Sequence, residues 1–203
     1  MDNKISFKSR INFVDAKTFI RVANGIEVNH IHNPIEFADE FYTTGVKTCS
    51  AGAAVIPHKT AYGFHTYDCE NTNKTIGTRF NIDLNLSDEK PKRALIIGSK
   101  KRNDRPFSPL NFNLIKRTLE KYTKHITTFE EQTQEMQQTC LHYDAKTDTY
   151  TILTRYLKDK EVDYIKSIKD LLKSFKTISI AKGDDLYVEN IKIEKSEYPE
   201  LFK

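Results

Sequence analysis

TTGVKTCSAGAAVIPHKTAYGFHTYDC, residues 43–69, sets two short apolar runs on either side of a proline turn. Residues 46–56 include Ala51, Gly52, Ala53, Ala54 and Val55. Small side chains in an unbroken apolar run suit a fully buried strand that its neighbours approach closely. Pro57 ends the run, since it has no N–H to give to a ladder. Residues 62–69 then read as the antiparallel partner, with residues 57–63 making the turn. This pairing places Cys49 on one strand and His65 on the next.

Outward from this pair, RALIIGS (residues 93–99) is the clearest central strand in the chain. Residues 5–14 and 19–32 read as strands broken by the hairpin signal Asn24–Gly25. Asn33 as N-cap and Pro34 at the first position predict a short helix carrying Ile35, Phe37, Ala38 and Phe41. Residues 78–86 alternate as a half-buried strand does. Leu110, Leu114, Ile115, Leu119 and Tyr122 fall at helical spacing on one face. Residues 126–134 and 138–144 are weaker strands, and HYDAKTDTYTILTRY (residues 142–156) holds a polar turn followed by a strong β run. Val162, Ile165, Ile168, Leu172 and Phe175 mark a final amphipathic helix, and TISIAKGDDLYVENIKI (residues 177–193) predicts two strands about Gly183–Asp184. The expected architecture is α+β: mixed β-sheets packed as a sandwich with flanking helices. Residues 1–158 form the main domain, and residues 159–203 a C-terminal helix plus hairpin extension packed on it.

Bulk composition limits the function classes. With 38% hydrophobic and 30% charged residues, the 203-residue chain has enough apolar material for a core and is no disordered segment. The net charge of +4 comes from 32 basic and 28 acidic residues, and with the lysines spread along the chain it does not by itself argue for nucleic acid, which is not an expected partner. The basic stretch Lys100, Lys101, Arg102 and Arg105 fits a contact with phosphates or an acidic protein and a solvated loop equally well, and it has no interleaved aromatics for stacking bases. No apolar run approaches the roughly 20 residues of a membrane-spanning helix, so no membrane insertion is expected. The opening MDNKISFKSRINF has no apolar h-region or small-residue cleavage site, and Cys49, Cys69 and Cys140 cannot all pair. A reducing, cytoplasmic location is the expectation.

A cysteine among Ala, Gly and Val reads in two ways. As a small hydrophobe it simply fills a core. As a nucleophile it needs a partner that stabilises thiolate, because a thiol of pKa about 8.5 is mostly protonated at neutral pH. His65 is within reach if the two segments are adjacent antiparallel strands, and Thr43 or Thr44 is available to orient its ring. A thiolate–imidazolium pair of this kind lowers the cysteine pKa and raises that of histidine.

The pattern Thr43-x5-Cys49-x15-His65, with Gly45 in the approach to the cysteine, resembles the Thr, Cys, His signature of CheD chemoreceptor glutamine deamidases. It is similar also to the wider superfamily of cytotoxic necrotizing factor and related deamidase toxins. ALIIGS, NFNLIKRTLEKYTKHITTFEEQ and TCLHYDAKTDTYTILTR resemble the strand, the helix and strand, and the closing hairpin that follow in CheD, over about residues 40–160. The chain differs where CheD has glycine and serine before its cysteine (here Lys47–Thr48) and two glycine-rich loops (here residues 99–103 and 133–136). The resemblance implies a CheD-like core and a cysteine amidohydrolase that deamidates glutamine side chains of a protein substrate. It implies Cys49 as nucleophile, His65 as base and Thr43 as orienting residue. No cofactor is implied, and a chemotaxis receptor is the implied partner.

Two alternatives stand beside it. A non-catalytic binding module would keep the CheD-like fold while its substrate loops change. A metal site would take His30 and His32, two apart on one strand face, together with Cys49 and His65. The YfiH-like Cys/His enzymes of purine metabolism also combine an upstream histidine, a cysteine and a later histidine. They follow the last with an Ala-Gly-Trp-Arg-Gly-like run, whereas His65 is followed by Thr66-Tyr67-Asp68-Cys69.

Overall fold

The structure is a computed structural model that describes residues 8–32, 34–56, 60–66, 82, 88–98, 108–132, 137–158 and 161–203. Its first half holds β1 (Arg10–Phe13), α1 (Ala16–Val22), β2 (Ile26–Glu27), β3 (Ile35–Ala38), β4 (Glu40–Val46), β5 (Ala51–Ile56), β6 (Thr60–His65) and β7 (Arg93–Gly98). Its second half holds α2 (Ser108–Glu120), β8 (Ile126–Glu131), β9 (Gln138–Asp144), β10 (Thr149–Lys158), β11 (Glu161–Tyr164), α3 (Ile168–Ser174), β12 (Phe175–Ser179), β13 (Asp185–Val188) and β14 (Ile191–Lys192). These strands form two mixed sheets. One runs β14-β13-β1-β10-β9-β4-β2 with β11 paired to β10, and the other runs β12-β8-β7-β5-β6-β3. The expected α+β sandwich is the observed architecture.

Strand periodicity explains why β5 and β7 read as unbroken apolar runs. Successive side chains point to opposite faces, so a strand covered on both sides needs apolar residues throughout. Ala51, Ala53, Val55, Leu95, Ile97 and Phe129 join the core between the sheets, with Ile11, Phe13, Phe41, Leu141 and Ile152 from the other sheet. Ala54, Ile56, Ala94, Ile96 and Ile126 face the other way and meet Phe112, Ile115 and Leu119 of α2. Gly63 admits the Phe41 ring of the facing sheet, since a Cβ there would stand 2.8 Å from it.

Several local expectations give way to tertiary context. Residues 16–22 are helical: the Asp15 side chain accepts from the Thr18 amide, capping α1, and Phe19 packs with Val14, Cys140 and Leu153. The segment expected as a helix from Pro34 is instead β3 followed by β4, because β6 supplies an antiparallel ladder from Ile35↔Phe64 to Ala38↔Ala61. Asn33, its expected cap, lies outside the described residues, as does the strand expected over residues 78–86 apart from residue 82. In α2 the covered face carries Asn111, Phe112, Ile115, Thr118 and Leu119, while Leu110 and Leu114 are exposed at 63% and 39%. The final helix is only α3, capped by Ser167: Val162 sits exposed on β11 and Phe175 begins β12. The strands on either side of Gly183–Asp184 belong to different sheets, β12 pairing with β8 and β13 running parallel to β1. The hairpin at this end is β13–β14, turning through Glu189 and Asn190 at positive φ. Among the described residues no helix is long and apolar enough to cross a membrane.

Phe13 of β1 meets Phe129 and Phe175 of the facing sheet edge to face, with ring centroids 5.2 and 5.8 Å away. Phe13→Ala removes the ring that joins the sheets at this point and should lower the unfolding free energy by about 3–5 kcal/mol, read as a lower urea midpoint at unchanged slope.

Candidate active site at the end of strands β5 and β6

Three elements converge where β5 begins and β6 ends. Thr43 points inward from β4 of one sheet, and His65 is the last residue of β6 in the other; both are fully buried. The ladder pairs Ala51 with His65, so Cys49 stands two residues before that pair, at the end of the bend over residues 47–49 that leaves β4. Thr43 Oγ1 lies 2.7 Å from His65 Nδ1. Of the two threonines considered for this role, Thr43 takes it, and Thr44 faces solvent. Cys49 belongs to the core between the sheets and is 6% exposed.

A third side chain joins them. The rings of His30 and His65 meet edge to face with centroids 5.0 Å apart. One ligand atom from each of His30, Cys49 and His65 lies within 4.8 Å of the others. The two histidines of the His30-x-His32 pair do not share a strand face. Asn29 Oδ1 accepts from the amides of Ile31 and His32 and folds this segment into a turn, with His30 partly covered against His65 and His32 exposed.

The main chain around Cys49 is held from two sides. The Ser50 amide donates to Thr66 Oγ1 at 2.9 Å, and that hydroxyl donates back to the Ser50 carbonyl at 3.1 Å. The Thr66 amide donates to the same carbonyl at 2.7 Å. On the other side, a Cβ at Gly98 would stand 2.5 Å from the Cys49 carbonyl oxygen, and Gly98 has φ +143°. The amide of the residue after the cysteine is therefore committed to Thr66 and is no oxyanion donor as the chain stands.

Electrostatics at His65 run against the thiolate–imidazolium pair expected from the spacing. Burial, reinforced by the neighbouring His30, holds the His65 pKa down to about 3, with the Val28 carbonyl pulling weakly upward. Burial lowers His30 as well. His65 is thus a neutral imidazole at neutral pH, and its Nε2 has no hydrogen-bond partner among the described residues. Which atom donates between Thr43 Oγ1 and His65 Nδ1 depends on the tautomer; when Nδ1 carries the proton and donates to Thr43, the lone pair sits on Nε2, as a base or a metal ligand requires.

The remaining candidates fall elsewhere. Cys140 packs beneath α1 with Val14, Phe19 and Leu153, and burial pushes its thiol pKa up. His142 Nε2 is 3.0 Å from Glu40 Oε1. Cys69, the basic stretch at residues 100–105 and the two segments that differ from CheD loops, residues 99–103 and 133–136, lie outside the described residues. Reasoning from sequence overlooked Thr66 and tied His30 to His32. Only strand register reveals the first, and the Asn29 turn reveals the second. A scan against protein-family models finds no match. A search of curated proteins also finds none.

The lowered His65 pKa fixes the sign of a pH effect. A histidine whose folded pKa falls below its unfolded value near 6.5 binds fewer protons when folded, so stability rises with pH between about 3 and 6.5 and is complete above that window. Lowering the pH to 5 should cost about 2 kcal/mol through this group. His65→Asn keeps a polar atom near the Nδ1 position but does not titrate, and should flatten that slope in urea titrations at pH 7 and pH 5.

Proposed function

We propose that the protein is a cysteine amidohydrolase acting on glutamine side chains of a protein substrate. The observation that carries this reading is the 2.7 Å contact from Thr43 to His65 Nδ1, with Cys49 grouped at the same buried imidazole. Neutral His65 takes the proton of the Cys49 thiol on Nε2 as sulfur bonds to the carboxamide carbon. The imidazolium returns that proton to the nitrogen, the C–N bond breaks and ammonia leaves, giving a thioester. Water then attacks the thioester carbon and loses a proton to Nε2. The C–S bond breaks, the thiol regains its proton, and glutamate is released. Thr43 holds the ring so that Nε2 remains the basic atom. A cytoplasmic chemoreceptor is the partner that the resemblance to CheD suggests.

His30 favours a second reading. His30, Cys49 and His65 offer two nitrogens and a sulfur within 4.8 Å, close to the separation of about 3.5 Å that tetrahedral zinc imposes on its ligands. Three protein ligands leave a fourth position for water or substrate. On this reading Thr43 orients a metal-bound His65 through the nitrogen opposite the ligand atom.

Incubation of receptor-derived and other candidate proteins should give the mass gain of replacing amide NH2 with OH, lost in Cys49→Ser and His65→Ala. Thr43→Val should slow conversion about tenfold, the worth of one orienting hydrogen bond. Cobalt supplies the second arm. If a thiolate-to-cobalt absorption band appears, and His30→Ala removes both it and the activity, the metal reading replaces the first. Hydrolysis that survives His30→Ala and chelation sustains the thiol reading, and absence of both signals leaves a binding module.

A further inference from the structure

We infer that Thr66 is a positioning residue that holds the Cys49 main chain in working geometry against His65; the inference rests on the Cys49–His65 reading. Thr66 follows His65 directly, and its hydroxyl and amide make all three of the hydrogen bonds that tie it to Ser50, the residue after Cys49. Thr66 and Ser50 are both fully buried. The β5–β6 ladder reaches Ala51↔His65 and stops, so nothing else in that ladder fixes the segment carrying the sulfur. Gly98 closes the opposite side, since only a residue without a Cβ lets β7 approach the Cys49 carbonyl.

The arrangement is a short extension of the sheet made by one residue, its amide and its hydroxyl both bonded to Ser50. Thr66 Oγ1 accepts from one main-chain group of Ser50 and donates to another, so the hydroxyl replaces a ladder pair where the strands diverge. The thiol and the imidazole are thereby carried on two segments locked to each other one residue beyond each reacting group. A displacement of about 1 Å between reacting groups costs on the order of 100-fold in rate. Serine can make the same two bonds, whereas valine matches the shape and can make neither.

The test is the rate of Cys49 alkylation by iodoacetamide at pH 7 in wild type, Thr66→Val, His65→Ala and the double variant. Thr66→Val should react about tenfold more slowly than wild type, while Thr66→Ser stays within about twofold of it. In the His65→Ala background Thr66→Val should change the rate little, because the partner that Cys49 is aligned with has gone. An equal factor in both backgrounds would mean a general loosening of structure and would overturn the inference while leaving the Cys49–His65 pair standing. Equal rates for wild type and His65→Ala would overturn the pair and the inference together. If Thr66→Val does not fold, Thr66→Ala serves in its place, since the smaller side chain leaves room for a water to take the Ser50 amide. The same coupling to His65 is then expected, and its absence would equally overturn the inference.

Discussion

A buried hydrogen bond crosses between the two sheets of this sandwich, from Thr43 on β4 to His65 on β6. A polar pair in an apolar core is costly unless the groups satisfy one another, so burying His65 here beside an apolar side chain in place of Thr43 would remove the Nδ1 partner. Ala51, Ala53, Phe41 and Ile97 of the core between the sheets carry no side-chain hydrogen-bonding group. The bond therefore ties β4 to β6 at one height and in one rotamer. Cys49 inherits its place from that constraint, because the ladder that seats His65 also seats Ala51, two residues downstream of it.

The legible parts of the sequence were those where local chemistry and tertiary context agree. Ala51 to Val55 and Arg93 to Gly98 announce strands buried on both faces, since only a double cover tolerates apolar residues at both parities. Cys49 and His65 were legible as neighbours because a single antiparallel pairing brings their segments together, whereas spacing left Thr43 and Thr44 open, and β4 of the other sheet turns Thr43 to the ring. The misread parts were short amphipathic runs where period 2 and period 3.6 compete. Ile35, Phe37, Ala38 and Phe41 fit a helix as well as two strands, and β6 decides between them by offering unpaired main-chain groups. The C-terminal strands were foreseen, but their division between two sheets was not. Pairing of β13 parallel to β1 joins residues about 175 positions apart, as the bond from the Ser9 amide to Asp184 also does. No local pattern carries that information.

The grouping of Cys49 with His65 was legible, and the charge state of the ring was not. Spacing suggests that histidine beside cysteine gains a proton from it. That inference assumes water nearby to support two opposite charges. His65 is fully buried, with a second imidazole against it, and each of these disfavours the cation. The sum of the two effects is larger than the help from the Val28 carbonyl.

A neutral resting imidazole changes what activation of Cys49 requires. An ion pair formed in advance would make the thiolate available to any electrophile that reached it. Burial and the neighbouring His30 hold the His65 pKa down, which disfavours a thiol proton resting on the ring before the bond to carbon forms. On the proposed amidohydrolase reading, proton transfer to Nε2 and carbon–sulfur bond formation would proceed together, for a substrate carboxamide as for a small electrophile that reaches both groups. His30 carries the same physics to its other outcome. A divalent cation at the cluster would supply the positive charge that the buried imidazoles refuse, deprotonating the thiol and occupying the lone pair on Nε2. One set of residues would thus serve either proposed chemistry, with the occupant of the space among His30, Cys49 and His65 selecting between them.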